Sequence, residues 1–362
     1  MDAESRFQTL ASLYVSFSPS QCVVYKNEIL ICGYKRICSY PNSAKINGHY
    51  VVKLLNTNNA NGITLLSFGG LQKNKHTLRM HYVSAWDEED EAENGGTKYF
   101  NQWLPFSNLP IFIGKKFDNY AGMRALIGGS NKNLLFITYP PKQIDVFDLN
   151  KVQYINESIL AIGKNSIQYH CFVAKTEHGI PMMNKKNEMI LIGNEIGLSI
   201  EYDEDSNNFQ FWELRVYITL RPFNSYACVC VNDSIYFFGG HTDYDGGTSI
   251  SNAVYKYSIQ ENEWLKFEHT LPTPLFGCIA ISSEDCTFVH ILGGTDGMKG
   301  MATHMRTKLD MWTKKTTVER QWIIKEEEKK RIEETKFEIA GIEHDLQMEK
   351  LTVEFFYFYF LF

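Results

Sequence analysis

The side chains in this sequence that could do chemistry lie in four places. His170 and Cys171 stand side by side, a base next to a nucleophile. Thiolate attack needs the imidazole within hydrogen-bond reach of the sulfur, yet neighbours on a strand point to opposite faces, so YHCFVAK predicts a packed strand rather than a dyad. Cys228 and Cys230, two apart, share one strand face, but no second pair or nearby histidine completes a zinc set. Asp87, Glu88, Glu89, Asp90, Glu91 and Glu93 crowd one inserted loop. Calcium needs several oxygens brought to one point by turns, and this run has no ordered alternation with glycine, so it reads as a solvated loop. In HTDYDGGTSIS, residues 241–251, Asp243 and Asp245 precede Gly246 and Gly247 like the start of a calcium loop, without the closing glutamate or flanking helices. The stretch predicts a long glycine-rich turn. No P-loop, nucleophile-elbow or HExxH string occurs. The expectation is therefore no catalytic residue, no cofactor and no metal.

Charge and cysteine usage narrow the partners. A net charge of −6 and a pI near 6.0 argue against nucleic acid, whose binders cluster Lys and Arg to displace counterions. The eight cysteines fall mostly inside apolar strand-like runs, and MDAESRFQTL carries two acids and no apolar stretch. Free structural thiols and a cytoplasmic address are expected.

The elements that would position any site repeat along the chain. Apolar runs closing on glycine recur as EILICG, ITLLSFGG, EMILIGN, SIYFFGG and FVHILGG, with LLFITYPP as a sixth that ends on proline. Each is too short for an ordinary helix and reads as a buried strand. An apolar segment and a short turn precede each run, predicting hairpins. An aromatic frame follows: FDLNKVQY, YDEDSNNF and YSIQENEW each place rings seven positions apart, and Phe147, Tyr202 and Tyr257 are spaced at an equal interval of 55 residues. Four strands per unit and six units are the grammar of a β-propeller.

The order apolar run, Gly-Gly, loop, Tyr, six residues, Trp is similar to the Kelch repeat. Its fullest copy is Gly239 and Gly240 followed by Tyr257 and Trp264; Gly69 with Gly70, and Gly293 with Gly294, are the other intact pairs. The remaining copies depart from the pattern. The third puts Tyr139, Pro140 and Pro141 at the glycine place and uses Phe147 and Tyr154; the fourth has Gly193 and Asn194, with Tyr202 and Phe209; the second sets Trp86 at the tyrosine place before Trp103. The first is short, with only 15 positions from Gly33 to the next strand at Gly48, and predicts a thin blade. The resemblance implies an all-β, six-bladed Kelch-type propeller over 1–312. FQTL would supply the outer strand of the last blade and so close the ring. Galactose oxidase shares this propeller family, but ligands for its copper-radical chemistry cannot be matched here.

From Val318 to Lys350 the composition turns to Glu, Lys and Ile without proline, predicting a C-terminal helix over 313–350. Ile332, Ile339 and Leu346 are seven apart, with Ile342 beside them, so the helix offers a surface for self-association as a short coiled coil. The apolar tail 351–362 has only eight uninterrupted apolar residues from Phe355, far below the roughly twenty of a membrane span. A rigid ring that presents loops favours a non-enzymatic protein-binding scaffold with an unidentified protein partner. The candidate contacts are His241, Asp243, Tyr244, Asp245, Asp87, Glu88, Asp296 and Met298. The first alternative is an enzyme acting on a sugar or other small molecule in the central channel. The second is a ubiquitin-ligase substrate adaptor, although only about twenty residues precede the first hairpin, too few for a BTB or F-box domain.

Overall fold

The structure is a computed structural model and describes residues 6–17, 21–33, 40–41, 44, 48–54, 62–71, 75–84, 86, 101–106, 113–114, 118–175, 185–244 and 247–360. Side chains are described for these except 243–244, 247, 337, 340–341 and 343–360. The chain divides into two units, residues 1–314 and 315–362.

The first unit is built of strands. After β1 (Phe7–Thr9) comes the hairpin β2 (Gln21–Tyr25) and β3 (Glu28–Cys32). Four sheets follow in chain order. The first holds β4 (His49–Leu54), β5 (Ile63–Gly69), β6 (His76–Tyr82) and β7 (Leu104–Pro105). The second holds β8 (Arg124–Gly128), β9 (Leu134–Tyr139), β10 (Gln143–Asp148) and β11 (Gln153–Ile159). The third holds β12 (Cys171–Ala174), β13 (Lys186–Gly193), β14 (Ile196–Asp203) and β15 (Asn208–Glu213). The fourth begins with β16 (Ala227–Val231) and β17 (Ser234–Phe238), then sends out a separate two-stranded ribbon, β18 (His241–Tyr244) and β19 (Gly247–Ile250), before β20 (Val254–Ser258) and β21 (Glu263–Lys266) complete it. The last sheet holds β22 (Phe276–Ser282), β23 (Phe288–Thr295) and β24 (His304–Lys308), and its fourth strand is β1.

The continuous apolar runs are explained by burial on both faces. In β13, Met189 and Leu191 pack against the β8–β11 sheet while Ile190 and Ile192 pack against the β16–β21 sheet. β9 divides the same way, with Leu134 and Phe136 to one side and Leu135, Ile137 and Tyr139 to the other. In β5, Ile63 and Leu65 meet the β2–β3 hairpin, and Leu66 and Phe68 meet the β8–β11 sheet. Each such side chain stabilises by about 1.5–3 kcal/mol. An alternating strand could not serve here, because there is no solvent face.

The seven-residue aromatic frames are cross-strand pairs. Tyr257 lies opposite Trp264, Tyr202 opposite Phe209 and Phe147 opposite Tyr154. Their ring centroids are 4.9, 4.8 and 5.1 Å apart. Each pair joins the apolar cluster shared with the preceding sheet. Trp103 stacks on Tyr40 at 4.7 Å and packs toward the β2–β3 hairpin. Trp86 does not take the tyrosine role expected of it: it is 85% exposed. Tyr82 fills that place, buried against Tyr25 at 6.1 Å with its hydroxyl donating to Glu28.

The paired glycines mark where the chain entering the next sheet crosses the end of a second strand. Gly239 has φ +69°, and a Cβ there would run into the Leu275 carbonyl oxygen; Gly240 donates its N–H to that same oxygen at 2.9 Å. Gly293 is covered by Phe17 in the same fashion, and Gly294 donates to the Phe17 carbonyl. Gly70 accepts from the Tyr120 N–H, and Gly69 lies against Met123. In the fourth repeat Asn194 adopts φ +48°, a conformation asparagine tolerates better than most residues.

The outer strand of the last sheet comes from the N-terminus, as the sequence anticipates. Phe7 pairs with Thr307 and Gln8 with Arg306, whose side chains also bond at 2.9 Å. Trp312 fastens this joint. Its ring lies 5.6 Å from Phe7 and 4.7 Å from Phe267, the Arg6 guanidinium sits 4.9 Å above it, and its Nε1 donates to Thr307.

Two expectations need correction. A ring of six blades with a thin first one was anticipated; the described residues form five four-stranded sheets and, at the first position, the two-stranded β2–β3 hairpin. The second unit is one helix, α1 (Thr317–Phe360), so the backbone of the apolar tail is helical to Phe360 rather than a separate segment. Its start is fixed by a reciprocal cap: the Thr316 N–H donates to Glu319 Oε2 and the Glu319 N–H to Thr316 Oγ1. Ile332, Ile339 and Ile342 are exposed. No helix among the described residues is long and apolar enough to cross a membrane.

The two tryptophans give a direct contrast in stability. Trp264→Ala should lower the unfolding free energy by about 3–5 kcal/mol, while Trp86→Ala should change it by no more than about 0.5 kcal/mol. Urea titration of both variants checks this; equal effects would refute the assignment of buried and exposed roles.

Candidate functional site

The strands β2, β4, β8, β12, β16 and β22 all face one central cavity of about 660 Å³. The first residues of these inner strands lie at the same edge as the paired glycines, because β4 starts opposite Gly69 and β22 starts opposite Thr295, beside Gly294. That edge also carries the β18–β19 ribbon. Trp86 follows β6, whose last residue, Tyr82, pairs with Ile63 at the opposite edge; the acidic residues 87–93 lie outside the described residues.

At the ribbon edge Arg124 opens β8. One of its guanidinium N–H groups donates to the Met123 carbonyl at 2.9 Å. The guanidinium carbon lies 5.9 Å from the Tyr50 ring and 6.0 Å from the Tyr169 ring, on flanking inner strands or their approaches. Tyr50 and Tyr169 also line the cavity. Burial raises the Tyr50 hydroxyl above its ordinary value, and Arg124 opposes that rise. Farther in, the wall is soft: Cys22, Cys228, Cys230, Cys278, Val173 and Ile279. Cys228 is held below the usual thiol value by a hydrogen bond with Cys171, with Arg124 acting in the same direction, while burial drives Cys171 well above it. The seven cysteines among the described residues are all free thiols; Cys38 lies outside them.

His170 and Cys171 part company, as alternation requires. His170 is buried with Nε2 2.7 Å from Thr138 Oγ1, and Cys171 packs toward the β16–β21 sheet. A second hydroxyl–imidazole contact, invisible in the sequence, lies within the β4–β7 sheet: Ser67 Oγ is 2.8 Å from His76 Nε2, and the Tyr40 hydroxyl donates to Ser67 at 2.9 Å. The reach suits a nucleophile and base, but Ser67 is wholly buried, so no substrate can approach it. The contact satisfies polar groups inside the sheet. Among the described residues no group of three His, Cys, Asp or Glu side chains is placed to hold a metal ion.

The predicted contact residues are brought together in part. His241 lines the cavity at the root of the ribbon, stacked on Phe276 at 4.2 Å, with its backbone paired to Asn224. Asp296 shapes a turn, accepting the Met298 and Lys299 N–H groups at 2.9 Å each, which holds its carboxyl below the usual range. The turn presents Met298, 96% exposed. Gly297 approaches Ile250 so closely that a Cβ would lie 2.8 Å from its side chain, so this turn and the ribbon stand side by side. Asp243 and Tyr244 lie on β18, with side chains outside the described residues; Asp245, Asp87 and Glu88 lie outside them altogether.

The Kelch motif matches residues 222–267, the span of the β16–β21 sheet with its paired glycines, Tyr257 and Trp264. That sheet carries a Kelch motif. Among solved structures, this propeller is similar to the structure of YjhT, at 13% sequence identity and a TM-score of 0.52, covering 81% of this chain and 95% of that one. No curated protein matches it. The motif's aromatic positions, Tyr257 and Trp264, lie in the apolar joint between sheets, and neither they nor Gly239 and Gly240 line the cavity. Arg124, Tyr50 and Tyr169 were missed because they come from separate strand entries. Their only sequence signal is position just ahead of, or early in, an inner strand.

The buried imidazoles of the propeller set an acid limit on its stability. Burial, assisted by His49, depresses His76 to about 4, and burial depresses His170 well below its ordinary value. The unfolded chain therefore takes up protons first, so stability is complete above about pH 6.5 and declines as pH falls. The slope is up to about 1.4 kcal/mol per pH unit for each group. Denaturant unfolding between about pH 7 and pH 5 should show this decline, and His76→Gln should flatten it. A level profile over that window would contradict the buried neutral state.

Proposed function

We propose that this propeller is a non-enzymatic scaffold that binds another protein at its ribbon edge. One observation carries the reading: two connections from neighbouring sheets, the β18–β19 ribbon and the Asp296 turn, stand together and present a fully exposed methionine. Methionine is adaptable and suits a protein contact, and loops held on a rigid frame are the usual seat of binding. We further infer that the ring has six positions, with the β2–β3 hairpin as the reduced sixth, because β2 faces the same cavity as the other five inner strands. The exposed isoleucines of α1 support self-association as a second contact.

A photo-crosslinking residue at position 298 should capture a discrete partner in cells, whereas the same residue at Trp86, on the opposite edge, should not. Met298→Glu should abolish the captured species while shifting stability by less than about 0.5 kcal/mol. Capture at Trp86 alone would place the interface on the wrong edge and sink the proposal.

A further inference from the structure

The central cavity has a charge balance that the scaffold reading does not use. Among the described residues its lining contains one permanent charge, Arg124, and no Asp, Glu or Lys. The imidazoles of His49 and His241 are the other basic groups there. Guanidinium has five N–H donors and stays charged at any ordinary pH. Arg124 commits one nitrogen to the Met123 carbonyl and lies near the rings of Tyr50 and Tyr169. Among the described residues it has no carboxylate partner. A cation at the mouth of a partly apolar cavity is costly unless an anion or water meets it.

We propose that this cavity binds a small organic carboxylate, its carboxyl group on Arg124 and its apolar body against the thiol and aliphatic wall. The volume of about 660 Å³ falls in the range of small-molecule pockets, which are mostly apolar with a few fixed polar groups. The planar guanidinium matches a carboxylate by paired hydrogen bonds. A phosphate dianion fits less well, since the lining has no second permanent cation and no helix N-terminus. Tyr50 and Tyr169 hold the guanidinium between them and pre-orient it. The wall of Cys22, Cys228, Cys230, Cys278, Val173 and Ile279 gives an apolar body its contacts, while Gln21, Ser225 and Asn232 remain as polar groups of the same lining.

Calorimetric titration of the full chain with 3-phenylpropionate and with its uncharged amide tests the assignment. The acid should bind at least about tenfold more tightly than the amide. Arg124→Gln should erase that preference and Arg124→Lys should keep part of it, each variant first shown to melt like the parent. Equal affinity for acid and amide, no binding of either at millimolar concentration, or a preference that survives Arg124→Gln would each overturn the proposal.

Discussion

A sheet that is apolar on both faces has to be covered on both faces, and the rest of this molecule follows from that constraint. Successive sheets cover one another: β13 gives alternate residues to the sheets on either side, and β9 and β5 do the same. A row of such sheets would leave two bare faces at its ends. Here the chain termini bring those ends together, with β1 completing the β22–β24 sheet and Trp312 packed among Phe7, Phe267 and Arg6. The cavity is a geometric result of that closure rather than a separate design.

Much of this was legible in the sequence because it depends on local pattern. Short apolar runs ending on glycine became second strands, and the seven-residue aromatic frames became cross-strand pairs facing the preceding sheet. The paired glycines were legible as turns, but their reason was not: the covering groups, Leu275 and Phe17, lie far away in sequence or across a loop. Trp86 misled because spacing alone cannot tell which of two rings, Tyr82 or Trp86, is turned inward once an insertion intervenes. The difference between five full sheets and one hairpin was not legible, because an apolar hairpin with a short connection carries the same repeat signal as a whole sheet.

The cavity was the least legible part. Its lining is gathered from six strand entries spread over much of the chain, and no two of the decisive residues, Arg124, Tyr50 and Tyr169, share a motif. The thiols were visible as strand residues, and Cys228 and Cys230 do share one face, the one packed toward the β12–β15 sheet. That the same strand also borders the cavity could be known only from the ring. The predicted contact loops fared unevenly for a related reason: an exposed turn is recognisable in sequence, but the edge to which it belongs is set by strand order.

Closure by the chain ends is the claim on which the ring, the cavity and both binding surfaces rest, and native-state hydrogen exchange on the chain lacking residues 1–10 tests it most directly. If the ring is held shut by β1, protection falls together in all five four-stranded sheets, including the distant β8–β11 and β12–β15 sheets. Loss of protection confined to β24, with the distant sheets unchanged, would show that the sheets stand without closure and would contradict the account.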